Sequence, residues 1–195
     1  MTKDTELRET PLTEKTVFQG KLIDISHMEV ALPNGKTSMR EIVHHNGGVG
    51  VVAVNDQGEV TLVRQHRIAP DLLMLEIPAG KLDSKIEDPL LAARRELEEE
   101  TGLRAEHMEL LATMIPTPGY CTEQIHLYLA TGLSQHASHL DADEFLGVVR
   151  MPFAQAVEKA AHGEFPDAKT ALGLLMAFHR LSVDGKISGE ENPSI

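Results

Sequence analysis

The 195-residue chain contains one cysteine, Cys121. That excludes an intrachain disulfide and any metal site built from several thiolates, and nothing around Cys121 supports a nucleophilic role. Tryptophan is absent and aromatic residues make up only 4% of the chain, so aliphatic side chains must fill the interior. With 42% hydrophobic residues there are enough for one core, or one core with a small appended subdomain. Basic residues are also scarce, 18 against 30 acidic ones, for a net charge of −12. A surface of that sign repels a phosphate backbone, which argues against nucleic acid as a partner. No apolar run approaches the ~18 residues of a membrane span, and the polar stretch from Met1 to Pro11 lacks a signal-peptide core. A cytoplasmic protein with no membrane partner is expected. A small anionic ligand stays compatible with this charge if divalent cations and a few arginines reverse the field inside one pocket.

What is present reads first as β structure. Thr13 to Val30 alternates loosely, through Val17, Leu22, Ile23, Ile25, Met28 and Val30, and runs into the turn Leu32-Pro33-Asn34-Gly35-Lys36. A strand over Thr37 to His45 completes a hairpin. Gly47-Gly48 breaks it, and Val49 to Val54, the turn Asn55-Asp56-Gln57-Gly58 and Val60 to Gln65 form a second one. Leu72 to Ile77 is a short strand ended by a bend at Pro78-Ala79-Gly80. At Asp88 the period changes. Asp88 can cap, Pro89 suits a first turn, Leu90, Ala93 and Leu97 recur at three to four, and Gly102 stops the pattern, which predicts a helix over 89–101. His107 to Met114 and Gln124 to Thr131 read as strands around the loop Pro116-Thr117-Pro118-Gly119-Tyr120. Helices follow from about Phe153 to His162 and after Asp167, and the Gly-, Ser-, Glu- and Pro-containing tail from Gly185 reads as disordered.

Projected at about 100° per residue, the first helix places Glu96, Glu99 and Glu100 in one sector, beside the apolar sector of Leu90, Ala93 and Leu97. Three carboxylates on one stripe repel each other, and more strongly if the stripe lines a cleft. Hard divalent ions such as Mg²⁺ or Mn²⁺ prefer such oxygen donors. Arg95, one turn before Glu99, is placed to orient that carboxylate. An isolated Glu98-Glu99-Glu100 run is ordinarily a solvated acidic face. The residues around it reverse that reading.

Gly80, Glu87, Arg95, Glu96, Leu97, Glu99, Glu100, Gly102 and Leu103 resemble the signature of the Nudix hydrolase family. From Glu87 to Leu103 every spacing fits; between Gly80 and Glu87 lie six residues, Lys81 to Ile86, where the pattern has five. A loop between strand and helix absorbs such an insertion. The resemblance extends from about Glu14 to Arg180 and is closest to the ADP-ribose pyrophosphatase branch. It is carried by Leu32-Pro33-Asn34-Gly35-Lys36, Arg40-Glu41, Leu62-Val63-Arg64-Gln65-His66-Arg67 and Leu75-Glu76-Ile77-Pro78-Ala79-Gly80-Lys81. Pro118, sixteen positions past Gly102, matches a proline that marks ADP-ribose hydrolases within the family.

The resemblance implies an α+β fold, the α/β/α Nudix sandwich, with an N-terminal antiparallel β-sheet subdomain that mediates homodimerisation. The implied division is a subdomain over 1–45, a hydrolase domain over 46–184 and a tail over 185–195. It implies Mg²⁺-dependent cleavage of a nucleoside diphosphate linked to a second moiety, with ADP-ribose going to AMP and ribose 5-phosphate. Mn²⁺ is a conceivable substitute. Glu96, Glu99, Glu100 and the carbonyl of Ala79 would be metal ligands, with Glu99, Arg95 and Glu144 in catalytic roles. Glu144 is chosen from Asp141, Asp143 and Glu144 as the loop carboxylate. Arg40, Arg67, Glu76 and Glu123 match substrate-binding positions, and Tyr120 is placed to stack or to pack. His44 and His45, adjacent on a strand, point to opposite faces and do not suit a shared metal. The competing readings are hydrolysis of another nucleotide sugar or dinucleotide, such as GDP-mannose, ADP-glucose or NADH, and a Nudix fold kept only for binding.

Overall fold

In the computed structural model, which describes residues 6–138, 145–183 and 185, the alternating stretch after Thr13 is two strands and not one. β1 (Thr10–Gln19) and β2 (Asp24–Ala31) pair antiparallel through a turn at Gly20. The Gly20 amide donates to the Ile23 carbonyl at 3.0 Å, and a Cβ at Gly20 would lie 2.8 Å from that oxygen. Leu22 and Ile23 conceal this turn in the sequence because they continue the apolar pattern across it. The turn at Leu32 to Lys36 is as expected, with Gly35 at φ 80° and Asn34 Oδ1 accepting from the Lys36 amide. It leads to β3 (Thr37–His44), which completes a sheet of order β1-β2-β3.

The chain divides into two compact units. The first is Met1–Gly47 together with Ile115–Gln124. The returning loop is stitched to β3 by the Val43 amide donating to the Tyr120 carbonyl at 2.7 Å and the Thr122 amide donating to the Val43 carbonyl at 2.9 Å. All ten residues of β1 are exposed, among them Leu12, Val17 and Phe18.

The second unit is Gly48–Met114 with Ile125–Ile195. Its strands are β4 (Gly48–Val54), β5 (Glu59–Arg67), β6 (Leu72–Glu76), β7 (Ala79–Lys81), β8 (Leu103–Met114), β9 (Ile125–Gln135) and β10 (Leu146–Pro152). They form one mixed sheet of order β10-β5-β4-β9-β8, with β6 on β5 and β7 on β4. β4 runs parallel to β9, and the other pairs are antiparallel. The helices are α1 (Pro89–Thr101), α2 (Phe153–Ala161) and α3 (Ala168–Val183). β4 is buried along its whole length, which explains its unbroken Val-rich run. Val49, Val51 and Ala53 pack with Ala93 and Leu97 of α1, while Val52 and Val54 pack with Leu174 and Ala177 of α3 on the opposite face. The period of two thus splits one strand between two cores, and each fully buried Val or Leu contributes about 1.5–3 kcal/mol. Helices on both faces of a mixed sheet make the expected α/β/α sandwich.

α1 covers the residues predicted for it. Asp88 accepts from the Leu90 amide at 2.9 Å, and Gly102 closes the helix at φ 69°. Two expectations need correction. Ala79 and Gly80 form a short strand against β4, not only a bend. β8 begins at Leu103, four residues before the expected His107, because Leu103 and Ala105 point inward between exposed Arg104 and Glu106. The tail expected from Gly185 lies, apart from Gly185 itself, outside the described residues. Among the described residues no helix is long and apolar enough to cross a membrane.

Candidate active site

α1 and the strap that joins β6 to β7 build the site in the second unit. Glu96 and Glu100, one turn apart, are buried at 8% and 3% exposure, flush with the apolar face of the same helix. Gly80 lies directly against Glu96: a Cβ there would stand 1.9 Å from the carboxyl carbon and 2.2 Å from both oxygens. Only glycine permits that approach. The next contact along the strap is the Ala79 amide, which donates to Glu100 Oε2 at 3.0 Å.

Arg95 gathers three carboxylates. Its guanidinium donates to Glu96 at 2.7 Å, to Glu99 at 3.1 Å and to Glu87 at 3.4 Å, and it also reaches the Lys81 carbonyl at 3.5 Å. Burial opposes the arginine's charge, but Glu96 and Glu99 outweigh it and drive its pKa above the ordinary arginine value. The extra residue between Gly80 and Glu87 does not break this arrangement. Glu87 still meets Arg95 and also accepts from the Asp83 amide at 2.6 Å, while Ile86 projects out at 94% exposure.

Three carboxylates therefore share one guanidinium, and a fourth, Glu100, lies one turn on from Glu96, a surplus of negative charge that calls for a cation. Among the described residues no three His, Cys, Asp or Glu side chains converge as a preformed metal cage. Arg95 and the Ala79 amide engage the carboxylates instead. The donors are all oxygen, Glu96 and Glu100 buried and Glu99 half-buried, with Gly80 admitting the Glu96 carboxylate, a set that fits a hard divalent ion.

A second network lies at the other end of the strap. The Glu76 side chain, 1% exposed, receives Arg67 in a fork, Nε to Oε1 at 2.8 Å and Nη2 to Oε2 at 2.9 Å. Lys169 of α3 also bonds Glu76 and reaches Asp167 at 2.9 Å. Burial pushes the Glu76 carboxyl up, but Arg67 and Lys169 pull it down further, to about 2. Arg67 is raised, by its bond to Glu76 and more weakly by the charge of Glu100. The two predicted substrate residues thus hold each other, close enough to the α1 stripe to feel it.

Arg40 and Glu123 belong to the first unit. Arg40 pairs with Glu9, Nε to Oε2 at 3.0 Å, and lines an open groove of about 670 Å³ with His27, Met39 and Tyr120. Glu123 faces His45 at 3.5 Å, whereas His44 turns to Glu14 and Ser26. Asp141, Asp143 and Glu144 lie outside the described residues. Sequence reasoning missed Lys169. The signal was there: a lysine in the first turn of a helix opposes the helix dipole and needs a local reason.

Helices on both faces of a mixed sheet, with a glycine-backed stripe of glutamates under one arginine, define a pyrophosphohydrolase site. The NUDIX domain model matches residues 44–171, and the chain belongs to the Nudix family. It is an enzyme of that family, whose hydrolases generally need a divalent metal. The chain is 41% identical over 170 residues to an ADP-ribose pyrophosphatase of Bacillus subtilis, covering 86% of this chain and 91% of the relative. It is 40% identical over 168 residues to a methanol dehydrogenase activator of Bacillus methanolicus, covering 85% and 90%. A crystal structure of an ADP compounds hydrolase superimposes with a TM-score of 0.81 at 24% identity, over 93% of this chain and 98% of that one, which shows the shared fold.

Proposed function

We propose that the enzyme hydrolyses the pyrophosphate bond of a nucleoside diphosphate derivative, with ADP-ribose giving AMP and ribose 5-phosphate. The stripe of Glu96, Glu99 and Glu100, with Glu96 and Glu100 buried and Glu96 set against Gly80, supports the hydrolytic part. The substrate is supported by the 41% identity to an ADP-ribose pyrophosphatase across most of both chains. The name of the other relative, a dehydrogenase activator, specifies no substrate.

Glu96, Glu99, Glu100 and the Ala79 carbonyl would hold Mg²⁺, with Mn²⁺ an acceptable substitute. Bound there, the metal supplies charge neutralisation of the pyrophosphate and activation of water. Arg95 holds Glu96 and Glu99 in orientation. Water oxygen bonds to one phosphorus as the bridging oxygen leaves with the other, and the water's proton passes to a carboxylate. We assign that base to Glu144 in preference to Asp141 and Asp143, with Glu99 as a further catalytic carboxylate. The family resemblance supports Arg67 and Arg40 as partners of the phosphates or the terminal ribose, and Glu76 and Glu123 as partners of ribose hydroxyls.

Ten exposed residues along β1, with Leu12, Val17 and Phe18 uncovered, support a homodimer formed through the first unit. One cysteine and a nucleotide substrate fit a cytoplasmic enzyme. The test is incubation with Mg²⁺ and ADP-ribose, ADP-glucose, GDP-mannose, NADH and a nucleoside triphosphate, with products separated by chromatography. ADP-ribose should turn over fastest and yield AMP; a rank near the bottom of the panel overturns the substrate.

A further inference from the structure

Lys169 sits in an unfavourable place. It occupies the second position of α3, where the helix dipole disfavours a cation, and its side chain is only 13% exposed. Its neighbours repay this. Lys169 Nζ lies between Asp167 and Glu76, and Glu76 in turn holds Arg67, so that charges alternate along Asp167, Lys169, Glu76 and Arg67. Asp167 is fixed as well: it caps α3 by accepting from the Thr170 amide at 3.0 Å and from the Thr170 hydroxyl. That same hydroxyl oxygen accepts from the Ile77 amide at 3.0 Å. The first turn of α3 thus grips residues 76–77, and Glu100 of α1 grips Ala79 of the same strap.

The fork between Arg67 and Glu76 by itself would set a carboxylate withdrawn from water against a guanidinium that stays partly exposed, and leave that one guanidinium to balance the buried charge. Lys169 takes a share of that charge. Arg67 is 40% exposed at its side chain, and the field of Glu100 also acts on it. With Lys169 present, Arg67 is held by a carboxylate already partly neutralised, and so keeps electropositive character for a second anionic partner. Without it, Glu76 would draw Arg67 inward, and Asp167 and Glu76 would confront each other across the vacated space.

We propose that Lys169, acting through Glu76, is a positioning residue that keeps Arg67 directed at the phosphates of the substrate. The inference rests on the reading that Arg67 is a phosphate partner. A residue with this role sets how well substrate is held more than how fast the bond breaks.

The test is steady-state kinetics on whichever compound of the panel the wild-type enzyme hydrolyses fastest, comparing Lys169→Met and Lys169→Arg with wild type. The expected result is a KM raised about tenfold in Lys169→Met with kcat within threefold, and a KM restored to within twofold in Lys169→Arg. Lys169→Gln carries the same comparison if the methionine variant fails to fold. An unchanged KM in a folded variant overturns the proposal, and so does a loss confined to kcat or one that Lys169→Arg does not rescue. Failure of the ADP-ribose assignment shows in the wild-type substrate ranking. Failure of this proposal shows only in the ratio of variant to wild type.

Discussion

Gly80 and Glu96 occupy each other's space: the carboxylate stands where the methyl of an alanine at position 80 would be, 1.9 Å from its Cβ. The glycine is needed for contact, not for backbone freedom. Gly80→Ala should drive Glu96 off its position, and a displacement near 1 Å in such a site costs on the order of 100-fold in rate. Overpacking adds about 1–3 kcal/mol of lost stability. Turnover at saturating Mg²⁺, together with urea denaturation, measures both; wild-type kcat in Gly80→Ala would refute the account.

Arg95 touches three carboxylates through a planar fork, which an ammonium cannot reproduce. Arg95→Lys should keep the local charge and lose the geometry. The expected outcome is a kcat lower by about 10- to 100-fold with a Tm near wild type. Equal loss in Arg95→Lys and Arg95→Met would show that orientation decides; full rescue by lysine would show that charge alone does.

Glu100→Gln removes the charge of one proposed metal ligand while the amide oxygen can still accept from the Ala79 amide. Folding should therefore survive, and kcat should fall by roughly two orders of magnitude or more. Titration with Mn²⁺ should need a higher concentration for half-activation. Unchanged half-activation would remove Glu100 from the metal site.

The helix and its stripe were legible because several local signals agree within α1: a capping aspartate, an apolar repeat, a closing glycine and a spaced set of charged residues. The start of β8 was less so, since charged Arg104 and Glu106 interrupt an inward pair that shows only once the sheet is known. The turn at Gly20 was hidden by apolar Leu22 and Ile23. The link from Lys169 to Glu76 spans 93 residues, and no local pattern encodes such a contact. Arg67 and Glu76 were each named, but in the register of β5 on β6 they stand opposite Leu72 and Val63, so strand pairing alone does not reveal their mutual fork.

The exposed face of β1 predicts assembly. A strand whose ten residues all face solvent, three of them large and apolar, gains by being covered. On the proposed homodimer, wild type should sediment at the mass of two chains in sedimentation equilibrium, and Val17→Asp combined with Phe18→Glu should lower that mass toward one. An unaltered dimer would move the interface elsewhere.

The Glu76 network predicts a pH signature of stability. Its carboxyl falls from an ordinary 4.5 to about 2 in the folded protein, because Arg67 and Lys169 outweigh the burial that raises it. A depressed folded-state pKa means that the contribution is complete above about pH 4.5 and is lost as pH falls toward 2. The side chain is buried, so solvent screens the effect little, and the shift corresponds to about 3 kcal/mol. Glu76→Gln lacks this titration. Stability measured by urea denaturation should therefore differ most between wild type and Glu76→Gln at pH 6, with the gap closing as pH is lowered from 4.5. A gap that stays constant across that window would mean that Glu76 titrates alike in the folded and unfolded chain, and the four-charge network would then contribute nothing through its ionisation.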